Sequence, residues 1–139
     1  MRSRQNQNTN LAAEFYVASQ LLRMGYIATI TFGHTKEIDL IVAHPDGRKI
    51  SIDVKGLKNT TNWPINPKLI RKDHFYVLVS YLSKYDDINI PPQVFVIPSS
   101  KIKKILGRWS GKPNVRCVNY QKVKDGKYKN AWHLLFNCK

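Results

Sequence analysis

Two aspartates stand where strands should be apolar. The stretch EIDLIVAHPDGRKISIDVKG, residues 37–56, holds two runs rich in branched aliphatics, 37–43 and 48–55. His44-Pro45-Asp46-Gly47 between them is a turn signal, so the segment reads as a β-hairpin. Asp39 interrupts the first run and Asp53 the second, with Lys55 two residues further on. Side chains alternate across a strand, so Ser51, Asp53 and Lys55 share one face and Ile50, Ile52 and Val54 the other. Glu37, Asp39 and Ile41 share a face of the preceding strand in the same way.

Whether the two aspartates meet depends on the turn. A three-residue loop, Pro45-Asp46-Gly47, puts Gly47 at the left-handed position of a bulged turn. His44 then faces Arg48, Asp39 faces Asp53, and Glu37 faces Lys55. A two-residue Asp46-Gly47 loop is the rival, and it sends Asp39 and Asp53 to opposite faces. Pro45 argues against the rival, because proline cannot donate a ladder hydrogen bond. In the first register the carboxylates lie side by side, about 5 Å apart between Cβ atoms. Such a pair repels unless a cation offsets it. Oxygen-only ligation suits Mg2+ or Mn2+, which keep waters and phosphate oxygens as their other ligands. Lys55 beside the cation could orient or deprotonate a water, or offset charge growing on an attacked phosphate. The blander reading makes both aspartates solvent-facing strand-edge residues, with Lys55 a surface salt-bridge partner.

Around the hairpin the pattern predicts a mixed α/β domain. Residues 1–9 read as a loose, flexible basic arm. Asn10 caps a helix over 11–24, whose buried stripe is Leu11, Phe15, Ala18 and Leu22. Gly25 ends that helix, and residues 26–32 (YIATITF) form a first strand. Glu14 borders the stripe, so a helix packed on the hairpin could aim it at the carboxylates; an ordinary first-turn glutamate favoured by the helix dipole is the alternative. A polar loop over 56–72 follows, with Trp63 expected in the core. Strands are expected over 75–82 (FYVLVSYL) and 94–97 (VFVI), then a short helix capped by Ser99 or Ser100 and ended by Gly107. Residues 108–139 read as a basic C-terminal extension, with 131–136 (AWHLLF) either strand or short helix. The whole, 1–139, is read as a single domain with an antiparallel three-stranded meander at its heart.

The chain carries 23 Lys+Arg against 9 Asp+Glu, a net charge of +14 over 139 residues. That surplus favours a polyanionic partner, with nucleic acid preferred over a membrane surface, since no amphipathic basic helix is evident. No apolar run is long enough to span a bilayer, and the N-terminal MRSRQNQNTN lacks the apolar core of a secretory leader. Cys117 and Cys138 fall outside zinc or C-x-x-C spacing and read as small buried fillers, suited to a reducing cytoplasm. Lys36, Lys58, Lys68, Arg71 and Lys72 surround the hairpin in sequence and are candidate phosphate contacts. Further on, Trp109, Tyr120 and Tyr128 interleave with Lys122, Lys124, Lys127 and Lys129. That mixture suits nucleic acid, and equally a hairpin packed on a sheet.

A helix bearing Glu14, then a strand, then a hairpin carrying Asp39 and Asp53-Val54-Lys55, resembles the PD-(D/E)xK nuclease superfamily. Its members include type II restriction enzymes, archaeal Holliday-junction resolvases and repair nucleases. The likeness covers Leu11 to Gly56 by motif and extends weakly to Ile97 by the order of elements. Ile38 stands where the family's name has proline, and Asp53 where glutamate is commoner, so the shorter side chain must approach a metal more closely. The resemblance implies a restriction-endonuclease-like core, a central mixed β-sheet flanked by helices. It implies that Asp39 and Asp53 bind Mg2+ or Mn2+, that the carbonyl of Val54 completes the shell, and that Lys55 is the catalytic lysine. Glu14 would assist a second metal or the attacking water. The expected activity is metal-dependent endonucleolytic hydrolysis of DNA, duplex or branched, with no organic cofactor and no membrane partner. A junction resolvase, which would act as a homodimer, and a non-catalytic nucleic-acid-binding module that kept the fold are the alternatives.

Overall fold

The computed structural model describes residues 4–31, 38–65, 72–109 and 111–137. A long helix, α1 (Arg4–Arg23), leads into three strands, β1 (Ile27–Ile30), β2 (Leu40–Ala43) and β3 (Lys49–Leu57). A short strand, β4 (Asn62–Pro64), precedes β5 (His74–Ser80) and β6 (Gln93–Pro98). The 3-10 helix Ser99–Lys104 connects to β7 (Gly107–Trp109) and β8 (Lys112–Asn119). Helix α2 (Tyr120–Val123) and the 3-10 helix Trp132–Leu134 complete the chain.

β1, β2 and β3 make the expected antiparallel meander. β3 then pairs in parallel with β5, giving one mixed sheet in the order β1-β2-β3-β5-β6. β4, β8 and β7 form a second, antiparallel sheet. Because side chains alternate, β5 and β6 each feed two cores. Leu40, Val42, Ile52, Val54, Val77 and Val79 pack with Ala13, Val17 and Leu21 of α1. Tyr76, Leu78, Phe95 and Ile97 face the other way, into a core shared with Trp63, Val118 and Tyr120. The fold is therefore mixed α/β, with α1 on one face of the main sheet and the second sheet, the 3-10 helix Ser99–Lys104 and α2 on the other.

α1 departs from the sequence expectation at both its start and its face. Residues 4–9 are helix, not a loose arm. The stripe against the sheet is Ala13, Val17 and Leu21, with Ala18 beside it, while Leu11, Phe15 and Leu22 are 39%, 51% and 55% exposed. Close approach is the reason. A Cβ built on Gly56 of β3 would lie 2.7 Å from the Thr9 carbonyl and 3.1 Å from the Ala13 Cβ. Only a small residue on each side lets helix and strand touch there. Asn10 is not a helix cap; its Oδ1 accepts the Gly56 amide at 3.0 Å. Gly25 does end the helix, at φ +93°, in the left-handed region glycine tolerates.

The segment over 56–72 is more than a loop. It contains β4, whose fully buried Trp63 donates its indole N–H to the Val79 carbonyl at 3.1 Å. The C-terminal region is also no loose extension. Val118, Tyr120, Val123 and Tyr128 build the second core, which takes Tyr120 and Tyr128 away from any role in stacking on bases. Residues 132–134 are helical. The helix after β6 is a 3-10 segment whose cap position is Pro98, without a serine side-chain cap. Cys117 is buried as expected, and that burial pushes its thiol pKa up; Cys138 lies outside the described residues.

Candidate active site

The turn between β2 and β3 is the three-residue form. The Gly47 amide donates to the His44 carbonyl at 2.9 Å, and the His44 amide donates to the Arg48 carbonyl at 2.8 Å. Gly47 sits at φ +97°, the left-handed position that a bulged turn requires. The ladder then runs from Ala43 opposite Lys49 to Leu40 opposite Ile52. The ladder ends there, with Asp39 just beyond it: its amide still bonds Ile52 instead of pairing with Asp53, while its carboxyl reaches that of Asp53.

β3 outruns its partner. It continues to Leu57, whereas the paired part of β2 begins at Leu40. In an antiparallel ladder alternate residues turn both backbone groups towards the neighbour, so Val54 and Gly56 face the edge that β2 has left. Buried amides must find partners, and two side chains supply them. Asp39 Oδ2 accepts from the Val54 amide at 2.8 Å, and Asn10 serves Gly56. The backbone of Asp39 is pinned on both sides. Its amide donates to the Ile52 carbonyl at 2.9 Å, one residue short of the ladder register, and its carbonyl accepts the Thr31 amide at 2.9 Å. The Val54 carbonyl points to the same open edge.

Asp53 lies on the face of β3 that looks towards the second sheet, beside Tyr76, and is 9% exposed. Burial is the main reason its pKa rises from the ordinary 3.8 to about 7. Lys55, with Nζ 3.6 Å from Asp53 Oδ1, pulls the value down. The Asp39 carboxyl, within hydrogen-bond reach, pushes it up again. Two carboxyls meeting in a largely desolvated corner favour a shared proton or a cation between them. The donors on offer are the two carboxylates and the Val54 carbonyl. All are hard oxygens, so the residues present fit Mg2+ or Mn2+.

Glu14 is half-buried on α1. Among the described residues no three His, Cys, Asp or Glu side chains converge in a metal-capable group, so the structure does not bring Glu14 together with Asp39 and Asp53. It stands four residues after Asn10, on the same side of the helix and about 6 Å along its axis. Lys58 lines a groove of about 540 Å3 together with Lys55, and its ammonium lies 4.8 Å over the Tyr85 ring. Lys72 is exposed. Lys36, Glu37, Lys68 and Arg71 lie outside the described residues. Sequence reasoning missed Asn10 as the partner of Gly56. A polar residue four positions before Glu14 was the available signal.

No protein family profile and no curated protein matches this chain. Among solved structures it is similar to a bacterial homing endonuclease, I-Ssp6803I, with 15% sequence identity and a TM-score of 0.59. The similarity covers 97% of this chain and 92% of that one. At such identity the likeness is one of fold: a mixed α/β architecture similar to that of a nuclease.

Proposed function

We propose that this chain is a metal-dependent endonuclease of the PD-(D/E)xK type that hydrolyses DNA phosphodiester bonds. The observation that carries the reading is the meeting of the Asp39 and Asp53 carboxyls, with the Lys55 ammonium 3.6 Å from Asp53. The likeness of fold to a homing endonuclease over 97% of the chain supports it, and favours DNA over RNA. The net charge of +14 suits a polyanionic substrate.

Asp39, Asp53 and the Val54 carbonyl would hold Mg2+ or Mn2+. When bound, such a cation supplies Lewis acidity at a phosphoryl oxygen and acidifies a water at neutral pH. The chain's own residues do the rest. Asp39 is held in place by the Val54 amide, so it needs no reorganisation to serve as a ligand. Asp53, whose pKa is raised to about 7, would give up its proton to solvent to serve as a ligand. Lys55 offsets the charge that grows on the nonbridging oxygens and orients the attacking water. Lys36, Lys58, Lys68, Arg71 and Lys72 are the proposed contacts to flanking phosphates.

Nicking of supercoiled plasmid in Mg2+ or Mn2+ tests the reading. Asp39→Asn and Asp53→Asn should each lower the rate by at least roughly 100-fold. DNA affinity measured in EDTA should stay within about threefold of wild type, since neither variant adds negative charge. Wild-type cleavage persisting in excess EDTA, or Asp53→Asn cutting at the wild-type rate, overturns it.

A further inference from the structure

The ribbon formed by β7 and β8 carries an arrangement that is unfavourable on its own. Arg108 and Arg116 stand directly opposite each other across it, and both are exposed. Like charges at opposed positions of an antiparallel pair repel. Neither strand contains an acidic residue, and among the described residues no carboxylate pairs with either arginine. Lys112 adds a third cation, its ammonium 5.8 Å over the Trp109 ring.

Trp109 joins this ribbon to the candidate active site. It lines the groove of about 540 Å3 together with Lys55, Lys58, Asn59 and Asn62. An indole, two ammonium groups and amide side chains suit a nucleotide, with its flat base, its phosphate and its polar edges. A two-stranded ribbon is also narrow enough to follow a DNA groove.

We propose that the groove from Lys55 to Trp109, continued by the Arg108–Arg116 pair, holds the DNA strand that flanks the cleaved phosphate. The inference rests on the nuclease reading for the polymer it names. In it, Trp109 packs on a base or sugar, and the two arginines neutralise successive phosphates.

The test is fluorescence anisotropy of the full chain on a labelled mixed-sequence duplex, in EDTA and over a series of salt concentrations. Replacing both arginines (Arg108→Gln with Arg116→Gln) should reduce the slope of log affinity against log salt by about 2. Trp109→Ala should weaken binding roughly fivefold or more and leave the slope unchanged, because stacking releases no counterions. The control, Lys101→Gln with Lys103→Gln, removes equal charge from two exposed lysines of the 3-10 helix that precedes β7, neither of which lines the groove, and should leave the slope unchanged. Thermal melts confirm that the variants fold. An arginine variant indistinguishable from the lysine control overturns the proposal. So does a Trp109→Ala variant with wild-type affinity, or loss of binding to anionic phosphatidylserine vesicles with DNA binding intact. The expected slope change without any Mg2+- or Mn2+-dependent cleavage removes the nuclease reading and leaves the groove standing. Metal-dependent cleavage with an unchanged slope removes the groove alone.

Discussion

Val54 donates its amide to the Asp39 carboxylate at 2.8 Å, across the point where β2 stops pairing with β3. One side chain therefore completes a strand edge and forms half of a carboxyl pair. The two roles separate by substitution. Asp39→Asn retains an oxygen for the Val54 amide and should fold with near wild-type stability while losing cleavage. Asp39→Ala leaves that amide without its acceptor and should in addition cost about 1–3 kcal/mol in urea denaturation.

The raised pKa of Asp53 makes the metal-free fold pH-dependent. Asp53 titrates near 7 in the folded chain and near 3.8 in its ordinary state. Between those values the folded chain binds more protons than the unfolded one, so stability falls as pH rises through the window. The contribution is complete below pH 3.8 and is lost by about pH 7. Urea midpoints in EDTA at about pH 5 and about pH 8 measure it, and Asp53→Asn should cancel the difference that this group makes. Mn2+ competes with the proton, so its stabilisation of the wild type should be larger at the higher pH.

Lys55 is expected to act on chemistry more than on metal affinity. Lys55→Met removes the ammonium 3.6 Å from Asp53 and should lower cleavage by roughly 100-fold or more, while Mn2+ still binds by calorimetry. Loss of the downward pull on Asp53 should also move the pH dependence of metal binding upwards. A Lys55→Met variant that cuts normally would show that the lysine is only a salt-bridge partner.

Gly56 is fixed by the helix that crosses it. A Cβ there would meet the Thr9 backbone carbonyl at 2.7 Å, an atom that cannot swing aside. Gly56→Ala should therefore destabilise the fold by about 1–3 kcal/mol, read as a lowered urea midpoint. It should also weaken DNA cleavage, because the same shift disturbs the Asn10 contact to Gly56, the residue next to Lys55 on β3.

The register of the hairpin was legible because local turn chemistry sets it. Pro45 cannot take a ladder position and Gly47 accepts a positive φ, and those two residues suffice to set the ladder as far as Leu40 and Ile52; the slip at Asp39, whose amide bonds Ile52, was not legible. The face of α1 was not legible. Leu11, Phe15 and Leu22 compete at helical spacing with Ala13, Val17 and Leu21, and side-chain size favours the wrong set. The choice is made by Gly56, on a strand more than forty positions away from Ala13. Trp63 belonged to the core as expected, yet its strand went unseen. Three residues that include a proline carry little signal, and the partner, β8, comes late in the chain. Tyr120 and Tyr128 looked equally at home on a nucleic acid or in a core, and long-range packing alone decides for the core.

The site is tested most directly by anomalous diffraction at the manganese edge from crystals soaked in Mn2+. The expected result is a peak between the Asp39 and Asp53 carboxylates, lost in crystals of Asp53→Asn soaked in the same way. A peak held by other residues, or none in crystals of a protein that cleaves DNA with Mn2+ in solution, contradicts it.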